Sequence, residues 1–170
     1  MKTIVALIDF SDLTPKILEQ SQKLATAFSS NVVLLHGVPR HVEAVDIGIA
    51  SPVVEREATA EEWNTHKAKL LELTEPLKMA GINVTAAQCT DMAAENILAE
   101  SRWLQADLIV MGSHHHGMLH DLVVGNLTRE ILQHAFCPVL VVPAALPVAQ
   151  PASDAQVKAA LAEPNLAVVV

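Results

Sequence analysis

An open, doubly wound α/β sheet, with five parallel strands in the order 3-2-1-4-5 and helices on both faces, is the fold this sequence predicts. Three observations predict it. Five short apolar runs are rich in Val, Ile and Leu with little polar alternation, as burial on both faces of a parallel sheet requires. Helical patterns fill the intervals, so strand and helix alternate along the chain. The 170 residues, 51% hydrophobic and 18% charged, suit one domain with a real core, and no apolar run is long enough to span a bilayer.

The first strand is expected over Thr3 to Ile8; an acidic residue follows it and no small-residue cleavage site does, so it reads as a strand and not as a signal peptide. The first helix has Ser11 or Asp12 available as cap and Pro15 in its first turn, with Ile17, Leu18, Ser21, Leu24, Ala25 and Phe28 on the inward face. Strand two covers Asn31 to His36. The stretch Val38 to Glu57 is long for a connection and holds Pro39, Gly48 and Pro52, which predicts a mobile or partly helical flap.

Thr59 and Glu62 have capping-box spacing at the start of the second helix, whose stripe of Trp63, His66, Leu70 and Leu77 runs to Gly81 with a kink expected at Pro76. Strand three follows over Ile82 to Cys89. A third helix ends near Leu104 with Ile97 and Leu98 inward, strand four spans Asp107 to Met111, and a fourth helix from about Asn126 to Ala135 turns Leu127, Ile131, Leu132 and Ala135 inward. Strand five is Pro138 to Val142. These elements make residues 1–143 the α/β domain. Residues 144–170 form a Pro/Ala-rich C-terminal extension, in which Ser153 and Gln156 have capping-box spacing ahead of a short helix and Leu166 to Val170 form an apolar end.

Charge and cysteine usage exclude several function classes. A formal net charge of −8, without a basic cluster interleaved with aromatics, argues against DNA or RNA binding. Cys89 and Cys137 lie far apart with no CxxC or Cys/His ligand spacing, so they read as packing residues in a reducing cytoplasm. There is no GxSxG, no P-loop lysine and no lysine after strand five as a phosphoacceptor domain would require. A binding or signalling module is therefore expected, and not an enzyme. Any ATP hydrolysis should be very slow.

In a doubly wound sheet, ligands bind beyond the carboxyl ends of the strands where the strand order reverses. Here those ends read "IDFSD", "LHGVPR" and "MGSHHHG". The last opens the stretch Met111 to Asn126, whose triple histidine invites a metal reading from His114, His115, His116 and His120. Consecutive histidines in an extended loop point different ways, however, and only Asp121 accompanies them, so no metal site is assigned. His36, ending a buried strand, reads as a satisfied core histidine, and Trp63 as core or interface filler.

The opening "TIVALIDFSD", the "VVLLHGV" of strand two, "ADLIVMGSHHHG", the glycine at 125 and "HAFCPVLVVP" together resemble the universal stress protein family, over about residues 2 to 143. The most specific part of the resemblance is the phosphate loop of the nucleotide-binding branch: Gly, two residues, Gly, nine residues, Gly, then Ser or Thr. On this chain those positions are Gly112, His115, Gly125 and Asn126, so the second and fourth depart. "GSHGHG" is a frequent form of the loop, and only the middle histidine is foreign.

The resemblance implies an adenine-nucleotide site formed by Leu7, Asp9, Gly37, Val38, Gly112, His115, Gly125, Asn126 and Leu127. Asp9 would accept from ribose hydroxyls, and backbone amides of the loop and helix start would face the phosphates. ATP, with or without Mg, is the implied ligand, with AMP or ADP as variants. The rival reading, which the departures at His115 and Asn126 permit, is a ligand-free dimerising module acting through protein partners. In either case strand five, Pro138 to Val142, is an apolar edge strand expected to pair with its twin in a homodimer.

Overall fold

Burial on both faces shapes the central sheet of the computed structural model, which describes residues 1–44, 53–113 and 126–143. In chain order the strands are β1 (Thr3–Leu7), β2 (Asn31–Val38), β3 (His41–Ala44), β4 (Val53–Arg56), β5 (Val84–Thr90), β6 (Leu108–Gly112) and β7 (Val139–Val142). The helices are α1 (Thr14–Phe28), α2 (Ala60–Glu72), α3 (Glu75–Met79), α4 (Ala94–Trp103) and α5 (Asn126–His134). Five strands pair in parallel in the order β5-β2-β1-β6-β7, which is the predicted 3-2-1-4-5.

Alternate residues of β1, continued by Ile8 just beyond it, feed two cores. Ile4, Ala6 and Ile8 pack with Ile17 of α1, Leu70 of α2 and Leu77 of α3 on one face. Val5 and Leu7 pack with Ile97 of α4 and Ile131 of α5 on the other. Fully burying an aliphatic side chain contributes about 1.5–3 kcal/mol, so the strand run is stabilised from both sides and has no reason to alternate with polar residues. At the amino end of the sheet, the Asp107 carboxylate accepts the amides of Lys2 (2.6 Å) and Thr3 (3.0 Å), tying the start of β1 to the start of β6. Those amide bonds hold its carboxyl below the usual carboxylate range.

Several local expectations are corrected. Pro76 does not kink one long helix; the chain breaks at Leu73–Thr74, where the Thr74 hydroxyl donates to Leu71 O at 2.6 Å, and restarts as α3 with Pro76 in its first turn, where a missing N–H costs nothing. The capping box at Thr59 and Glu62 is present. Neither Ser11 nor Asp12 caps α1, since the cap position is Leu13 and the Ser11 hydroxyl accepts the Leu13 amide one step before the helix.

Phe28 and Leu132, expected inward, are 55% and 48% exposed. Phe28 closes α1 just before the left-handed Ser29 (φ 51°) turns the chain away, and Leu132 stands one residue round the helix from the buried Ile131. The stretch after Val38 is not helical where described: β3 and β4 form an antiparallel ladder pairing His41 with Arg56 and Ala44 with Val53. The extension 144–170 lies outside the described residues.

Candidate functional site

The carboxyl ends of β1, β2 and β6 meet at the point where the strand order reverses. Leu7 pairs with Leu35 and Ala6 with Val110, so continuing the register places Asp9 level with Gly37 and Ile8 level with Gly112. Five of the residues expected at the site, Leu7, Asp9, Gly37, Val38 and Gly112, therefore lie together at the ends of three strands. Asp9 is half-buried, and its Oδ1 accepts the Ser11 amide at 3.0 Å. This turn, in which an aspartate bonds the backbone two residues on, fixes the carboxylate and leaves Oδ2 without a partner among the described residues. Phe10, inside the turn, is left-handed at φ 58°, a conformation non-glycine residues rarely adopt.

Gly37 is a point of close backbone approach. A Cβ there would stand 2.8 Å from the Met92 amide nitrogen and closer still to the Asp91 carbonyl. The turn between β5 and α4 is thus strapped to the end of β2: the Asp91 amide donates to Val38 O at 2.8 Å, the Asp91 carboxylate accepts the Met92 amide at 2.7 Å, and the Met92 sulfur accepts the Gly37 amide at 3.1 Å. Val38 is buried, and its carbonyl is already engaged. Gly112, closing β6, has a packing reason of its own, because a Cβ would meet Leu13 Cδ1 at 2.9 Å. Leu7 is buried in the core facing α4 and α5.

Asn126 is exposed at the start of α5, and Leu127 beside it packs partly against the same core. His115 and Gly125 lie outside the described residues, as do His114, His116, His120 and Asp121. Among the described residues no group of three or more His, Cys, Asp or Glu side chains could hold a metal ion. Cys89 is buried and Cys137 half-buried, and both are free thiols; burial raises both, Cys89 to about 11.

A second constellation lies beneath the Asp9 turn, on the α1 and α2 side of the sheet. His36 is 4% exposed; its Nδ1 meets Ile8 O at 2.6 Å and its Nε2 meets Nδ1 of His66, on α2, at 2.7 Å. The Phe10 ring lies over both, 4.3 Å from the His36 ring centroid and 5.8 Å from that of His66. Sequence reasoning identifies His36 as a satisfied core histidine and finds His66 on the helix stripe, but nothing in the sequence joins residues 30 positions apart. The strap from Asp91 to Gly37 is equally invisible there. Its one signal is a glycine inside an otherwise apolar strand.

A doubly wound parallel sheet with a positioned carboxylate and two close-approach glycines at its switch point defines an α/β module of the class in which ligands bind at that point. The model of the Universal stress protein family matches residues 1–143, and the chain belongs to that family. It is 26% identical over 152 residues to Universal stress protein MJ0577 of Methanocaldococcus jannaschii, covering 83% of this chain and 94% of that one. Its fold is similar to that of the Archaeoglobus fulgidus universal stress protein in complex with dAMP (17% identity, TM-score 0.60, 83% and 96% coverage). It is similar also to a universal stress protein in complex with cAMP (15% identity, TM-score 0.61, 85% and 98% coverage).

Proposed function

We propose that this chain binds an adenine nucleotide at the carboxyl ends of β1, β2 and β6, as a regulatory ligand and not as the substrate of rapid turnover. The observation that carries this reading is Asp9: a half-buried carboxylate at the switch point, held by the Ser11 amide, with its second oxygen available to accept from a ribose hydroxyl. Bound cAMP and dAMP in two fold neighbours support the ligand class. ATP, with or without Mg, is the proposed ligand, with AMP or ADP using the same ribose and adenine contacts. The amides of the loop from Gly112 to Gly125 and the start of α5 at Asn126 and Leu127 would receive the phosphates. His115 and Asn126 replace a Gly and a Ser or Thr of the family pattern, and both retain a backbone amide for that purpose.

We further propose a cytoplasmic homodimer paired through β7, and a domain that ends at about residue 143, with 144–170 as an extension to it. Among the described residues no helix is long and apolar enough to cross a membrane. The test is direct. Protein purified without added nucleotide is denatured, the supernatant is analysed for adenine nucleotides by mass spectrometry, and the emptied protein is titrated with ATP, ADP and AMP by calorimetry. Stoichiometric uptake of one of them supports the reading. Protein that is nucleotide-free and takes up none of the three is instead the ligand-free dimerising module.

A further inference from the structure

Backbone carbonyls only accept, so the contact with Ile8 O places a hydrogen on Nδ1 of His36. A neutral His36 then presents a bare Nε2, and the 2.7 Å contact requires His66 to donate from its own Nδ1. The chain of bonds therefore has one direction: His66 donates to His36, and His36 donates to the carbonyl of the residue before Asp9. Phe10 adds a second tie to the same turn. Its left-handed backbone places the ring against both imidazoles, so the turn is held from below at residues 8 and 10, on either side of Asp9.

We propose that His36, His66 and Phe10 form a proton-sensitive clamp that positions the Asp9 carboxylate, so that acidification loosens nucleotide binding at this site. A single added proton leaves this contact intact, because His66 can keep its Nδ1–H toward His36 or accept from it. Two imidazolium rings cannot share it, since His36 Nε2 and His66 Nδ1 then both carry hydrogens 2.7 Å apart. One contact must then open, and with it the polar tie between α2 and the end of β2. His66 is half-buried, so it gives the pair a route to water. The charged groups facing the pair are Asp9 from the β1–α1 turn and Lys69 from α2, whose Nζ stands 6.0 Å from the Phe10 ring centroid. Gln88, the register partner of His36 on β5, is neutral and donates to Trp63 O. Burial, the largest influence, keeps the His36 imidazole below its ordinary value, and Lys69 acts in the same direction.

The effect on affinity rests on the nucleotide reading, whereas the clamp itself is observable without any ligand. In the full chain, imidazole ¹⁵N spectra at neutral pH should show His36 as the Nδ1–H tautomer with a bare Nε2. The Ser11 amide, bonded to Asp9, should shift as pH is lowered, and that response should vanish in His36→Asn, which keeps a donor for Ile8 O but cannot protonate. ATP affinity of the parent should fall about tenfold between about pH 7.5 and about pH 5, and should be flat in His36→Asn. His66→Gln, which keeps a donor toward His36, should retain the neutral-pH affinity. His66→Leu should weaken it.

An Nε2–H tautomer at His36, or a Ser11 response unchanged in His36→Asn, overturns the clamp whatever the nucleotide result. A parent that binds no ATP at either pH overturns the nucleotide reading alone, and the spectra still decide the clamp. Should His36→Asn fail to fold, the tautomer of the parent decides it.

Discussion

Gly37 and Asp91 touch backbone to backbone: the carbonyl of Asp91 occupies the space that a side chain on Gly37 would need. The contact seats the β5–α4 turn on the end of β2. Because the obstructing atoms are main chain on both sides, Gly37→Ala should destabilise the fold by about 2 kcal/mol or more, read from a urea midpoint. Gly112→Ala meets only the end of the Leu13 side chain and should cost about 1 kcal/mol. Equal costs would show that the strap is not rigid.

Asp9→Asn keeps an oxygen for the Ser11 amide and removes the charge. The turn should survive, and nucleotide affinity should fall roughly ten- to a hundredfold, the range expected for losing a hydrogen bond to a charged acceptor. Calorimetry with ATP, alongside an unchanged unfolding midpoint, checks both halves.

The phosphate loop makes a prediction from sequence alone. His115→Gly should preserve or strengthen ATP binding, Asn126→Ser should do so more weakly, and Gly125→Val should abolish it by placing a Cβ where phosphate or backbone must pass. A stoichiometric metal site predicts the reverse, with Zn uptake lost in His115→Gly. Parallel titrations with ATP and with Zn distinguish the two.

Acid should destabilise the fold through His36. Its folded imidazole lies below the ordinary value of 6.5, so the unfolded chain takes up a proton that the native state resists. The contribution is full above 6.5 and is lost as pH falls from there toward the folded value. Asp107, held below 3.8, gives stability that disappears only in more acidic solution, so the two windows are separable. Urea midpoints across the upper window should decline in the parent and stay level in His36→Asn.

The β7 edge can be blocked without disturbing the sheet. Ile109 donates to Pro138 O and Ser113 to Val142 O, so the alternation of a parallel ladder leaves the N–H and C=O of Val139 and Val141 pointing away from β6. Val141→Pro removes one outward donor and no bond to β6. Light scattering at micromolar protein should then report a monomer where the parent is a dimer. A parent that is already monomeric sinks the β7 pairing.

Legibility from sequence followed physical range. The parallel strands were readable because burial on both faces makes each a continuous apolar run, and the doubly wound architecture followed from the right-handed crossovers of alternating strand and helix. β3 and β4 were hidden by Pro39, Gly48 and Pro52, which suggested a loop or helix around strands only four residues long. Asp9, Gly37 and Gly112 were named from the family pattern, and the structure adds a packing reason for two of them that no pattern announces: Gly37 yields to Asp91 and Gly112 to Leu13. The pairing of His36 with His66 is a property of tertiary packing, with no local pattern to announce it.

Trp63 stands three residues before His66 on α2, half-buried, with its carbonyl tied to Gln88, whereas Trp103 at the end of α4 is 80% exposed. The chain has no other tryptophan. Native emission thus divides into a red-edge component that is constant and a bluer one that responds to the seating of α2. The molecule carries its own optical gauge of that helix, and release of the imidazole pair would be visible as a red shift in unlabelled protein.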